Sequence, residues 1–270
     1  MFFTFYKTFF YSECLNPSKI QGNCLIFIIL KDLAKSGGSM KVLGILGSPH
    51  KKGGSAQLLI AALKGAQRVG AETELLSVYD GEIKPCEGCI KDEEPYCKFP
   101  CIFEDYGKVI LQKMYEVDGI IFSTPVYWFA PSGQLKNLID RMTSLENMVA
   151  FGEPSYLEGK VAAAIAVGAD DGGSWATGYL VATLTSMGCI IPPWGLAYSH
   201  KRDKAIFDDK AMMDAINIGL LTAKTIARLN GEKVDLLFVD DREMMEEIRR
   251  EIIEELGILS ASQEEEVRKI

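Results

Sequence analysis

The sequence is poor in several features that mark common chemistries. Histidine occurs only twice, as His50 and His200, and no G-x-S-x-G stretch is present. A Ser-His-Asp hydrolase therefore has no nucleophile elbow to stand on, and His200 reads as a surface loop residue or an edge contact rather than a general base. Two familiar phosphate loops are also missing. Gly47 and Gly53 have five residues between them and Gly54 precedes Ser55, whereas Walker A requires four residues and then Lys before Ser or Thr. Gly44-Ile45-Leu46-Gly47 lacks the close first pair of the G-x-G-x-x-G dinucleotide fingerprint. Basic charge is in deficit, with 29 Lys and Arg against 37 Asp and Glu for a formal net charge of -8. This argues against a general nucleic-acid or anionic-membrane surface, which needs clustered cations. Long apolar runs are absent too: Cys24 to Leu30 is only seven residues, well short of the about 20 that cross a bilayer. There is no basic stretch before it and no small-residue cleavage site, so a secretory signal also fits poorly. No internal repeat or low-complexity tract occurs.

What is present is the composition of a soluble globular protein, 48% apolar and 24% charged over 270 residues, enough for one large domain with appendages. Residues 1–39 differ from the rest, being rich in Phe and Tyr near the start. They are expected to be a leader that is poorly ordered or not native, with Met40 as the natural start. Lys35-Ser36-Gly37-Gly38-Ser39 would then be translated upstream sequence. Mass spectrometry of the natively expressed protein tests this, and residues found before Met40 would refute it.

From Met40 onward short apolar runs alternate with longer amphipathic segments. That alternation predicts strands near 41–46, 73–78, 118–124, 160–167 and 189–193, with helices near 55–69, 106–116, 133–145, 174–187 and 209–229. The expected fold class is α/β, a flavodoxin-like three-layer sandwich whose five-stranded parallel sheet runs 2-1-3-4-5, with ligands beyond the strands' carboxyl ends. The expected domain spans 40–230, includes a cysteine loop at 85–102, and is followed by a helical extension at 231–270. In that extension Met244, Met245, Ile248, Ile252 and Ile253 recur at helical spacing, the pattern of a docking face on the parent domain or on a partner subunit.

Three loops then fall on one edge. Gly47-Ser48-Pro49-His50-Lys51-Lys52-Gly53-Gly54-Ser55-Ala56 joins the first strand to a helix. Helix starts present unpaired N–H groups and a positive dipole end, and glycine lets backbone approach a ligand. Ser48, His50, Gly53, Gly54, Ser55 and Ala56 are thus candidates to wrap a phosphate; an ordinary Gly/Ser turn is the plain alternative. The third strand ends in Pro125-Val126-Tyr127-Trp128-Phe129, whose aromatic faces suit a flat conjugated ligand, unless they plug a helix–sheet gap or an oligomer contact. The fourth runs into Gly168-Ala169-Asp170-Asp171-Gly172-Gly173, flexible backbone before another helix. A ligand with a phosphate tail and a planar head answers all three, and flavin mononucleotide (FMN) has that shape.

These stretches, together with Lys136, Asp140 and Arg141, resemble the iron-sulfur flavoprotein and NADPH-dependent FMN reductase family of the flavodoxin-like superfamily. The resemblance covers about Met40 to Asn230. It implies non-covalent FMN, with phosphate at Ser48, His50, Gly54, Ser55 and Ala56. The ring would lie against Pro125, Val126, Tyr127, Trp128 and Phe129 and the loop bearing Gly168, Asp170, Gly172 and Gly173. Arg is common in the family at the place of His50 and Asn at that of Gly54, so a charge and an amide are replaced here, with Lys51 or Lys52 placed to compensate.

Four of the seven cysteines, Cys86, Cys89, Cys97 and Cys101, fall in one short span. Four thiolates complete the ligand set of a 4Fe-4S cluster or of zinc, and C-x2-C is a usual start for either. Bare thiols and redox-active disulfides remain alternatives. The iron-sulfur flavoprotein branch resembles this region, including Pro85. However, Cys97 follows a seven-residue gap, with Asp92 where the branch has its third cysteine. Cys189 reads as a small buried apolar residue.

The function expected is an FMN-dependent oxidoreductase passing electrons between FMN, a 4Fe-4S cluster at these cysteines and a small-molecule or protein redox partner, with NAD(P)H or ferredoxin as donor. The resemblance implies a homodimer or homotetramer, and the cysteines suggest a reducing cytoplasm. Two rivals are an NAD(P)H-dependent FMN or quinone reductase with structural cysteines, and a non-enzymatic flavodoxin-like interaction module.

Overall fold

The strands form one five-stranded parallel sheet in the order β2-β1-β3-β4-β5, seen in a computed structural model that describes residues 39–89 and 97–258. The strands are β1 (Lys41–Leu46), β2 (Glu72–Ser77), β3 (Gly119–Pro125), β4 (Val161–Val167) and β5 (Leu196–Ser199). Every neighbouring pair is parallel, with Leu43 opposite Ile120 and Phe122 opposite Ala164 in register. β4, Val-Ala-Ala-Ala-Ile-Ala-Val, is buried along its whole length, as a strand covered on both faces must be, whereas the edge strand β2 is half-exposed. This is the flavodoxin-like arrangement that the alternation predicts.

The helices are α1 (Gly54–Gln67), α2 (Tyr106–Glu116), α3 (Gly133–Arg141), the short α4 (Thr143–Glu146), α5 (Gly173–Ser186), α6 (Asp209–Leu229) and α7 (Arg242–Leu256), with 3-10 turns at Asn147–Phe151 and Arg202–Phe207. One core layer packs Leu58, Leu59 and Ala62 of α1 with Ile216 and Leu220 of α6. The other packs Ile110, Leu111 and Met114 of α2 with Leu135 and Leu138 of α3 and Leu180 of α5. α7 joins the first layer: Met245, Ile248 and Ile252 are buried, while Glu247, Glu251 and Glu255 pair with Lys64 of α1 and with Arg68 at its C-cap. The apolar stripe of the extension thus docks on its own domain. Among the described residues no helix is long and apolar enough to cross a membrane.

The fifth strand departs from the expectation at 189–193. Ile190 makes only an isolated bridge to Val161, and pairing with β4 resumes at Leu196. Pro192 and Pro193 have no N–H to donate to a ladder, and the chain passes through Trp194 in a left-handed conformation (φ 55°) before re-entering the sheet. The expected leader, residues 1–39, lies outside the described residues except for Ser39.

Candidate functional site

The loop after β1 is held against the sheet by hydrogen bonds that leave its helix start uncapped. Gly47 N–H donates to the Ser123 carbonyl (2.7 Å), Ser132 Oγ–H donates to the Gly47 carbonyl (2.6 Å), and Ser123 Oγ–H donates to the Ser55 carbonyl (2.7 Å). Ser48 and Ser55 are both buried, and Ser48 Oγ accepts from the His50 N–H at 3.1 Å, leaving its own proton to donate. Gly53 is the N-cap of α1 and supplies no side-chain cap, so the first N–H groups of a 14-residue helix face the loop. An open pocket of about 550 Å³ lies beside them, lined by Pro49, His50, Lys51, Lys52, Gly53 and Asp203. Lys51 is committed elsewhere, in a 2.5 Å ion pair with Asp80. Lys52, exposed on the same pocket wall, has no such ion pair among the described residues.

Gly54 has a physical reason to be glycine. A Cβ there would stand 1.9 Å from the Arg202 carbonyl oxygen, so the asparagine common in the family cannot fit unless the 202–207 turn moves. That turn is pinned to the loop by Gln57, which is 1% exposed. Its Nε2–H donates to the Lys52 and Asp203 carbonyls (2.9 Å each), and its Oε1 accepts from the Ile206 N–H (3.1 Å).

The aromatic loop is a two-residue hairpin turn. Tyr127 and Ala130 exchange both backbone hydrogen bonds (3.0 and 3.2 Å), and Trp128 (φ 51°) and Phe129 (φ 65°) are both left-handed, as in a type I′ turn. Bulky residues are strained there, and such strain tends to gather at functional sites. Trp128 is 93% exposed and Phe129 53%, so neither plugs a helix–sheet gap. Gly172 (φ 84°) packs beneath this turn; a Cβ on it would come within 3.0 Å of Phe129 and Val126. Gly172 is also the N-cap of α5 without a side-chain cap. By contrast α2, α3 and α7 are capped by Asp105, Ser132 and Asp241. Gly168 N–H donates to the Ser199 carbonyl and its own carbonyl accepts from Arg202 N–H, which joins this loop to the 202–207 turn and so to Gly54. Asp170 is exposed on the same loop, and Gly173 abuts Tyr198 of β5. The three sequence-predicted loops are thereby brought into one continuous edge.

The cysteines form a second centre. Cys97 and Cys101 are buried, Cys89 is half-buried and Cys86 exposed, all four free. Burial, together with the nearby thiols of Cys89, Cys101 and Cys86, pushes the Cys97 thiol up to about 12. A buried thiol beside three others is the donor chemistry of a thiolate-bound metal. As placed, no three acidic, cysteine or histidine groups among the described residues stand at metal-ligating distances. Arg141 Nε–H donates to Cys101 Sγ at 3.2 Å, and the Asn147 side chain donates to the Cys97 carbonyl at 2.7 Å. Cys189 is buried, and burial pushes its thiol up to about 12, which makes it the inert apolar residue expected.

Three participants escape a reading of the sequence: Gln57, the 202–207 turn and Asp105. Placing the fifth strand at 189–193 hid the second. Placed at Leu196–Ser199, its carboxyl end opens directly into Arg202–Phe207 on the ligand edge.

A family model described as NADPH-dependent FMN reductase matches residues 40–203. An iron-sulfur flavoprotein of Methanocaldococcus jannaschii is 42% identical over 139 residues, covering 51% of this chain and 67% of that protein. Iron-sulfur flavoproteins of Methanosarcina thermophila (35% over 136 residues, 50% and 66% covered) and Archaeoglobus fulgidus (34% over 128 residues, 47% and 54% covered) are also similar. The matched stretch therefore spans between about half and two thirds of the length of these relatives. Among solved structures, RosB with bound 8-demethyl-8-formylriboflavin-5'-phosphate shares the fold, with TM-score 0.58 and 17% identity over 79% of this chain and 88% of that one. A flavone reductase does so with TM-score 0.52 and 22% identity over 73% and 66%.

Proposed function

Because the chain belongs to the iron-sulfur flavoprotein and NADPH-dependent FMN reductase family of flavin-dependent oxidoreductases, we propose that it binds FMN at the carboxyl edge of its sheet. There it passes electrons between that flavin, a 4Fe-4S cluster on Cys86, Cys89, Cys97 and Cys101, and an external donor or acceptor. One observation carries the reading. Of the helices that begin at this edge, α1 and α5 start from glycines with no side-chain cap, and a strained, exposed aromatic turn lies against the second of them. When bound, flavin accepts electrons in pairs and releases them singly, which suits a one-electron cluster beside it.

The protein's own groups bind and orient. The N–H groups of Gly54, Ser55 and Ala56, the Ser48 hydroxyl and the His50 ring receive the phosphate, with Gly53 giving room and Lys52 supplying charge. Pro125, Val126, Tyr127, Trp128 and Phe129 border the ring on one side; Gly168, Asp170, Gly172 and Gly173 offer backbone on the other. The buried Gln57 amide and the 202–207 turn hold the phosphate loop in one conformation, so that little ordering is left to binding. The FMN-binding unit is taken as 40–230, with 231–270 as its extension and 1–39 as a leader. A reducing cytoplasm, a homodimer or homotetramer, and a small-molecule or protein redox partner complete the proposal.

A second reading keeps the flavin and makes the cysteines structural: an NAD(P)H-dependent FMN or quinone reductase. The seven-residue gap between Cys89 and Cys97, with Asp92 where the branch has its third cysteine, favours it. Anaerobic stopped-flow with NADPH separates the two. The cluster reading expects electrons to leave the reduced flavin for iron in the wild type and to stop there when all four cysteines are serine. Unchanged turnover in the serine variant selects the plain reductase, and a protein that takes up no FMN refutes both.

A further inference from the structure

We infer that the C-terminal helix α7 is part of the FMN phosphate site, and that Arg249 is the residue through which it positions the phosphate loop. The inference rests on FMN binding at the carboxyl edge of the sheet. The Arg249 side chain, 11% exposed, reaches out of α7 to three acceptors. Its Nε–H donates to the Ile206 carbonyl (2.9 Å) in the 202–207 turn, one terminal nitrogen pairs with Asp209 at the start of α6 (2.6 Å), and the other pairs with Glu246. Ile206 is buried, and its N–H donates to Gln57 Oε1 (3.1 Å), so its backbone is held from both sides. Gln57 Nε2–H in turn reaches the Lys52 carbonyl (2.9 Å) inside the phosphate loop. Arg249, Ile206, Gln57 and Lys52 thus form an unbroken hydrogen-bonded chain from α7 to the loop.

α7 meets the loop a second time at its far end. The helix stops at Gly257 (φ 60°), and a Cβ there would stand 3.8 Å from Lys52 Nζ. The carbonyl end of a helix carries partial negative charge, which favours a lysine ammonium beside it. Docking alone requires neither contact. Met245, Ile248 and Ile252 already bury the apolar stripe, and Glu247, Glu251 and Glu255 already pair with Lys64 and Arg68 toward the other end of α1. Arg249 instead directs its Nε–H at the turn whose Arg202 carbonyl crowds Gly54. A loop already fixed in its binding conformation loses little freedom when the ligand arrives. Arg249 is thus a positioning residue that acts through Ile206 and Gln57.

Two variants separate positioning from docking. Arg249→Met removes the bonds to the turn and to Asp209, whereas Arg68→Met removes ion pairs to Glu247 and Glu251 of α7 and leaves the turn untouched. Cofactor-free full-length wild type is compared with both by hydrogen-exchange mass spectrometry and by FMN fluorescence titration. In Arg249→Met, peptides covering 50–57 and 202–207 should exchange faster, and FMN should bind about tenfold more weakly, as for a loop that is binding-competent about a tenth of the time. Arg68→Met, which loses only a partly exposed pair, should leave FMN affinity within about twofold of wild type and the exchange of these peptides unchanged. Arg249→Lys keeps a charge but cannot reach all three acceptors; it should show smaller changes of the same sign, and it decides alone if Arg249→Met does not fold. Wild-type affinity or wild-type exchange in the Arg249 variants, or equal losses in Arg68→Met, would overturn the role of Arg249 and leave the FMN site standing. A wild type that takes up no FMN would remove the flavin reading and the inference with it.

Discussion

The ligand edge and the cysteine loop are held in place by different means. At the edge, backbone does the work: two glycine-led helix starts, a type I′ turn and serine hydroxyls bonded to carbonyls. In the cysteine loop, side chains from distant elements do it: Arg141 of α3 donates to the Cys101 sulfur and Asn147 beyond it to the Cys97 carbonyl. A backbone site is rigid before its ligand arrives. A side-chain site depends on a few partners and can tighten when a metal draws the sulfurs together.

That contrast predicts where each region breaks. The largest effect is expected at Arg141→Ala, which strands the Asp105 carboxylate, only 4% exposed in its side chain, without its cation. Removing one partner of a buried pair costs about 3–5 kcal/mol, readable as a lower urea midpoint. Gly54→Asn comes next. Its side chain must displace the Arg202 carbonyl, an overpacking cost of about 1–3 kcal/mol. FMN affinity should fall with it in a fluorescence titration, with the iron content of the preparation equal to that of the wild type. Gln57→Leu should cost about 1–3 kcal/mol by leaving the Ile206 N–H and two carbonyls unpaired, again weakening FMN and sparing the cysteines. The smallest is Lys136→Met, which deletes an exposed ion pair with Asp140 at 2.6 Å and should change the midpoint by less than about 0.5 kcal/mol.

Acid sharpens the same contrast. Burial would raise the Asp105 carboxyl, but hydrogen bonds from Arg141 and from the Lys84 and Lys108 N–H groups outweigh it and hold the carboxyl below the usual range. A depressed carboxyl stabilises the fold above its unfolded pKa of about 3.9 and loses that contribution as pH falls through the lower folded value. The stability gap between wild type and Asp105→Asn, followed by urea unfolding from pH 7 downward, should stay level to about pH 5 and close below about pH 4. A gap that closes well above pH 5 would contradict the assignment.

The edge was legible in the sequence because its signals are local. An apolar strand followed by Gly53-Gly54-Ser55 announces a helix start, and three aromatics after Pro125 announce an exposed turn. The fold followed from the alternation of strands and helices. The fifth strand was misjudged because an apolar run can begin pairing and be broken at once by two prolines. The cysteine loop was legible only as a composition. That Cys101 receives Arg141, which lies 40 residues away in sequence, is a long-range contact no spacing encodes. Gln57 shows the same thing within the edge itself: its amide bonds to Asp203, 146 residues on.

The most direct test of a flavin working beside a cluster is the ultraviolet-visible absorption of anaerobically purified protein before and after dithionite. Oxidised flavin bands superimposed on a broad iron–sulfur absorption are expected, both bleaching on reduction. A colourless protein that stays so after incubation with FMN and iron would contradict both cofactors.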